Sequence, residues 1–179
     1  MGTSTMTVAD QADRTERVGL EEYHQISGFL FREARLADES RYAEWEALVE
    51  DDMLYWVPRG DGEFDMNRDI SITADNRSRL RTRIRQLMTG KRHAQVPVSA
   101  MRRVVGNIEA ERLQDGEYRV FSNFILHELR RSSTATVEVW AGRVEHRLRR
   151  RPDGSLGMFF KKVMLINGDE PLPSLAFII

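Results

Sequence analysis

The chain has 179 residues, 27 Lys or Arg against 28 Asp or Glu, a formal charge of -1 and no cysteine. That length suits one domain with a core large enough to hold without covalent staples. The missing thiols exclude disulfides, thiolate zinc sites, a cysteine nucleophile and a cysteine-ligated iron–sulfur cluster in this chain, and the balanced charge gives no whole-molecule pull toward nucleic acid or anionic membrane.

No apolar run approaches the roughly 18 residues of a membrane span, and the first residues lack the apolar core of a signal peptide. A cytoplasmic protein is therefore expected. Residues 1–17 are polar and aperiodic, and read as a flexible tail before a single domain at 18–179.

Leu20, Tyr23, Ile26, Ser27, Leu30, Ala34 and Ala37 recur at three- and four-residue steps. They predict a helix, and Phe29 and Phe31 widen its apolar face. Asp38, Glu39 and Ser40 break the pattern. A second, shorter helix carries Tyr42, Trp45, Leu48 and Val49, and Asp51 and Asp52 end it. Met53 to Val57 reads as a strand, closed by Pro58, Gly60 and Gly62. Ile70 to Ile72 is a short extended piece. Thr73 or Asp75 then caps a third helix that buries Leu80, Ile84, Leu87 and Met88 and stops at Gly90.

From Met101 the period is two. Val104, Gly106, Ile108 and Ala110 alternate with polar residues. A turn at Gln114 to Glu117 leads into a long strand, Tyr118 to Arg131, which is apolar on both faces and so expected to be covered on both. In the strand from Thr134 to Arg149, Val137, Val139 and Ala141 have one parity, and Val144, His146 and Leu148 the other. The phase change at Gly142 predicts a bulge and a sharp bend. Asp153-Gly154 turns the chain into a strand from Leu156 to Ile166, and Leu175 to Ile179 reads as a last short strand. Helices followed by a meander predict an α+β fold: a cone-shaped, strongly curved mixed or antiparallel sheet packed on N-terminal helices.

Candidate chemistry is sparse. Glu21 and His24 have the E-x-x-H spacing of carboxylate di-iron helices, but no second pair exists to complete such a site. His127 and His146 lie on consecutive strands. The adjoining Glu128 and Glu145 point to the opposite face from them, so no third ligand is evident. Arg77, Arg79, Arg81, Arg83 and Arg85 crowd the third helix without interleaved aromatics, which suits a solvated or partner-facing surface better than RNA. Arg147, Arg149, Arg150 and Arg151 are candidates to meet acids on another subunit. Tyr55, Trp56 and Pro58 read either as core or as interface anchors. No Walker, dinucleotide or serine-elbow motif occurs.

The run Phe29 to Asp38, then Tyr42, Trp45, Leu48 and Tyr55-Trp56-Val57-Pro58, resembles the opening of aromatic-ring-hydroxylating dioxygenase β subunits. Ile70-Ser71-Ile72, Asp75, Arg77 and Leu80, the strand Arg102 to Ile108, and Gly142-Arg143 leading to Leu148-Arg149-Arg150 continue the likeness in order. One departure stands near the end: Ile166 and Asn167 follow Leu165 where the family often has an aspartate.

The resemblance implies a nuclear-transport-factor-2-like (cystatin-like) cone. It implies a cytoplasmic hetero-oligomer, usually three α with three β subunits, and no catalytic, cofactor or metal site in this chain. The partner α subunit would hold a Rieske [2Fe-2S] cluster and a mononuclear Fe(II), and would cis-dihydroxylate an aromatic ring with O2. Tyr55, Trp56, Pro58, Arg77, Arg102 and Arg103 are the expected contacts with α or with other β subunits, with neither nucleic acid nor membrane as partner. The alternative is a stand-alone dehydratase or isomerase on the same cone, with His127, His146 and Asp75 as acid–base candidates.

Overall fold

A computed structural model describes residues 16–60, 70–89, 98–113, 115–131, 135–173 and 175–179. Residues 1–15 of the expected tail lie outside the described residues, as do Gly62, Gly90, His93, Gln114 and Thr134. Glu16–Arg17, the last two residues of that tail, form a short strand, β1.

The first apolar stripe folds as α1 (Leu20–Asp38), burying Ile26, Phe29, Leu30, Ala34 and Ala37. The Glu22 carboxylate accepts from the Gly19 N–H at 3.3 Å, meeting one of the free donors at the helix start. At the other end, Asp38 accepts from the backbone N–H and the Nε of Arg103, both at 2.7 Å.

The second helix is shorter than the sequence predicts. α2 spans Tyr42–Glu46, and Val49 already opens β2 (Val49–Pro58). Leu48 and Val49 are buried, but Val49 pairs with Met158, so strand pairing overrides the helical spacing here. β3 (Ser71–Asn76) pairs antiparallel with β2. Neither Thr73 nor Asp75 caps α3 (Arg77–Met88). Asn76 does, accepting from the Arg79 N–H at 3.0 Å, while Asp75 pairs with Arg83 at 2.6 Å. Leu80, Ile84 and Leu87 are buried but Met88 is exposed, because it lies roughly 80° round the helix from Leu80.

The meander is β4 (Ala100–Arg112), β5 (Tyr118–Leu129), β6 (Val137–Arg150) and β7 (Leu156–Leu165). The sheet order is β1-β4-β5-β6-β7-β2-β3, and every neighbouring pair is antiparallel except β2 with β7. This is an α+β fold with a curved, unclosed sheet. α1 packs on β4, and α3 packs on β2.

The predicted bulge at Gly142 is absent. β5 and β6 pair without interruption from Leu129↔Val137 to Tyr118↔Leu148. Val137 and Val139 are exposed, whereas Trp140, Val144, His146 and Leu148 point into the core. The two apolar sets are thus opposite faces of one regular strand. Register shifts occur instead between Gly106 and Glu109, where Asn107 has φ 50°, and between Arg147 and Leu148. Gly142 has another role: a Cβ there would lie 2.1 Å from the Met164 carbonyl oxygen and 3.1 Å from the Phe124 ring.

Two further expectations fail. Val104 faces outward, and only beyond the β4 bulge do Ile108 and Ala110 turn inward against the core. Residues 175–179 form no strand among the described residues, yet Phe177, Ile178 and Ile179 are buried.

Candidate functional site

Two regions carry unusual chemistry: the interior of the cone and the outer face of its sheet. The interior is built by α1, β4, β5, β6 and β7. Glu33 falls on the apolar stripe of α1, three residues after Leu30 and four before Ala37, so the helix drives a carboxylate into the core. Lys161 shares the inward parity of Val163 and Leu165 on β7. The two meet at 2.7 Å, with side chains only 4% and 2% exposed. Trp45 Nε1 donates to the same Glu33 oxygen at 2.6 Å.

Burial alone would push the Glu33 carboxyl up, but the Lys161 charge foremost, with the Arg103 charge and the Lys161 hydrogen bond, outweighs it and holds it at about 2. Burial pushes Lys161 down, against the opposing pull of Glu33. For His146, burial and then the Lys161 charge bring the imidazole down to about 3. Both its ring nitrogens lack a hydrogen-bond partner among the described residues. A cavity of about 20 Å³ lies here, lined by Glu33, Arg103, Ser122, His146, Lys161 and Ile179, among others.

The last described residues close this interior. Arg103 donates to the Ile178 carbonyl at 3.0 Å, while the Tyr55 hydroxyl is 3.2 Å from both the N–H and the main-chain oxygen of Ile179. Phe177 meets the Trp140 ring edge-on. Desolvation raises the Tyr55 phenol well above its ordinary value. At the far end, the fully buried Glu128 accepts from Ser99 Oγ at 2.9 Å and Trp140 Nε1 at 3.1 Å.

The acid–base candidates are not brought together. His127 pairs in register with Val139 and is exposed on the outer face, whereas His146 pairs with Val120 and faces inward. Asp75 is engaged by Arg83 on β3 and α3. Glu21 and His24 are exposed, and it is Glu22 that binds, to Arg112 and Tyr118. Those two hydrogen bonds hold the Glu22 carboxyl at about 2. Among the described residues, no group of three or more His, Cys, Asp or Glu could hold a metal.

Of the six expected contact residues, Tyr55, Trp56 and Pro58 are buried within the chain. Trp56 donates to Ser71 Oγ at 2.9 Å, with Lys162 Nζ 4.4 Å over its ring. Arg77 pairs with Glu46 at 2.7 Å, and the Arg103 side chain is 3% exposed. Arg102 is exposed. The arginines near the end of β6 meet acids of this same chain: Arg147 with Glu145, Arg149 with Asp52, and Arg151 with Glu50.

The outer face is different. Val104, Ile125, Val137 and Val139 are 69%, 48%, 57% and 58% exposed. Register makes them neighbours: Val104↔Ile125, Ile125↔Ala141, His127↔Val139 and Leu129↔Val137. A shallow cavity of about 360 Å³ lies beside them, lined by Ala100, Met101, Arg102, His127, Leu129 and Val137. β5 is therefore covered on one face only, contrary to expectation. On this face the row Arg102, His127 and Val139 runs between Val104, Ile125 and Ala141 on one side and Ala100, Leu129 and Val137 on the other.

Sequence reading missed Glu33 and Lys161, and placed Glu128 opposite His127 without seeing that it is buried. The signal was present in their positions, since each is a charged residue at an inward step of an otherwise apolar pattern.

The model of the ring hydroxylating beta subunit family matches residues 32–169. The small oxygenase component of the p-cumate 2,3-dioxygenase system of Pseudomonas putida is 32% identical over 143 residues, covering 79% of this chain and 77% of that protein. Among solved structures, the β subunit of benzoate 1,2-dioxygenase from Burkholderia mallei superposes with a TM-score of 0.70 at 25% identity, over 91% of this chain and 99% of that one. A chain of naphthalene 1,2-dioxygenase shares the fold with a TM-score of 0.73 at 19% identity, over 96% of this chain and 91% of that one.

Proposed function

This chain belongs to the ring-hydroxylating β-subunit family, and on that premise we propose that it is the non-catalytic small subunit of a Rieske non-haem iron aromatic-ring dioxygenase. Its task is to support a larger α subunit. That α subunit would carry the [2Fe-2S] cluster and the mononuclear Fe(II), and would add both atoms of O2 to an aromatic ring as a cis-dihydrodiol. The assembly would contain three α and three β chains, and residues 18–179 would act as one domain within it.

The observation that carries this reading is the register-matched apolar patch of Val104, Ile125, Val137 and Val139 on a sheet face that the chain's own helices leave open. His127 sits among these residues, between Ile125 and Leu129 along β5, with Arg102 beside it across the ladder. Both suit acidic or carbonyl-rich groups on the partner. Tyr55, Trp56, Pro58, Arg77 and Arg103 would act indirectly, by holding the β2–β3–α3 and α1–β4 framework behind that surface.

The stand-alone enzyme is the weaker reading. An acid–base mechanism needs its groups within hydrogen-bond reach of one substrate. His127 and His146 lie on opposite faces, and the cavity of about 20 Å³ beside His146 admits nothing as large as an aromatic ring.

The test is co-expression with a Rieske-type α subunit. An Ile125→Asp, Val139→Asp double variant should keep the circular-dichroism spectrum of the parent and lose at least about 10-fold in recovered α subunit, since about 1.4 kcal/mol of lost association already gives that factor. Undiminished recovery would rule this face out as the docking surface.

A further inference from the structure

We propose that the cavity inside the cone is a hydration site for a single water molecule, which accepts from Lys161 Nζ and donates to the unprotonated ring nitrogen of His146. Three observations converge. The first is the pair of buried ring nitrogens on His146, neither with a partner among the described residues. Buried polar groups carry a free-energy penalty until they are hydrogen-bonded.

The second is size. A buried water needs about 10–15 Å³ of accessible cavity and two to four polar partners. The cavity measures about 20 Å³, and its lining includes the polar Ser122, His146 and Lys161 and the apolar Leu30, Phe124 and Val144. It accommodates one water and nothing larger.

The third is donor geometry. An ammonium group has three protons. The Lys161 hydrogen bond to Glu33 Oε1, at 2.7 Å, uses one of them, and its Nζ is also 5.9 Å from the Trp45 ring centroid. A further Lys161 proton can fill a lone pair of the water and turn the water's own protons toward the imidazole. The result is a chain Glu33–Lys161–water–His146.

That chain favours neutral His146. The charged groups around the ring come from three of the five walls: Glu33 from α1, Lys161 from β7, and Arg103 from β4, with Arg103 itself neutralised by Asp38. The two cations and two carboxylates already balance, so a protonated imidazole would be an uncompensated buried charge. The direction of the His146 shift, set first by burial and then by Lys161, agrees. Ser122, inward on β5 and in register with Val144, supplies a third polar group.

The test is a crystal structure of the full chain at neutral pH, with the ring-nitrogen spectrum of the same 15N-labelled protein. The expected result is one isolated peak within about 3.2 Å of both Lys161 Nζ and a His146 nitrogen. In solution His146 should remain a single neutral tautomer from pH 7.5 to 5.5. In His146→Phe, which keeps an aromatic ring but removes the acceptor, the peak should disappear. An empty cavity, a His146 nitrogen bonded directly to a protein atom, or a ring that becomes doubly protonated near pH 6.5 would each overturn the proposal.

Discussion

Lys161 and Glu33 stabilise the chain only as a pair. Removing one partner of a buried ion pair leaves an uncompensated charge and costs about 3–5 kcal/mol, whereas replacing both can be near neutral. Lys161→Met alone should therefore lower stability by about that amount in urea unfolding. Glu33→Gln with Lys161→Met should recover much of the loss, and an additive double variant would contradict the pairing. Acid should act on the same cluster. The folded chain holds His146 at about 3 against an ordinary 6.5, so the unfolded chain takes up that proton first. The stabilisation is fully present above pH 6.5 and is lost as pH falls toward 3. Glu33, at about 2 against 4.5, adds a second loss below pH 4.5. One proton gives at most about 1.4 kcal/mol per pH unit. The urea midpoint should fall between pH 7.5 and 5, and His146→Phe should flatten that fall; an equal fall in both proteins would assign it elsewhere. Residue types alone reveal none of this. It becomes legible only by asking which charged side chains occupy inward positions, and the pairing of Glu33 with a lysine 128 positions away requires the fold.

Glycines separate two ways in which an element tolerates a side chain. Gly28 lies within α1, and a Cβ added there would meet nothing within 4 Å, so Gly28→Ala should stabilise the chain by about 0.5–1 kcal/mol. At Gly142 the same methyl would meet the Met164 carbonyl oxygen and the Phe124 ring, so Gly142→Ala should cost about 1–3 kcal/mol or more. Paired thermal melts check both, and a neutral Gly142→Ala would show that β6 and β7 separate easily there. The sequence marks Gly142 as special but misreads why. Alternating apolar residues reveal two faces, yet they do not say which face a helix covers, so an apolar outer surface looks like a change of phase. The bulge in β4 leaves no comparable mark, because Asn107 adopts its positive φ without a glycine. α1, α3 and the meander are legible because their periods are long and regular. The α2–β2 boundary is not, since Leu48 and Val49 are buried under either assignment.

At the scale of the molecule, the helices cover one side of the sheet and leave the other open, with Val104, Ile125, Val137 and Val139 exposed on it. Among the described residues the interior of the cone is filled by buried ion pairs and by residues 177–179, around a water-sized cavity. The exposed face holds the surface that remains to be used. Sequence order alone is enough for the family and the α+β cone, but the exposed apolar face emerges only from strand register, which sets Val104 beside Ile125 and His127 beside Val139. The most direct measurement is the mass, by size exclusion with light scattering, of this chain co-expressed with a Rieske-type α subunit. The expected result is a single large complex with equal numbers of the two chains, and ring hydroxylation confined to that complex. A chain that elutes alone and turns over a substrate by itself would contradict the small-subunit role.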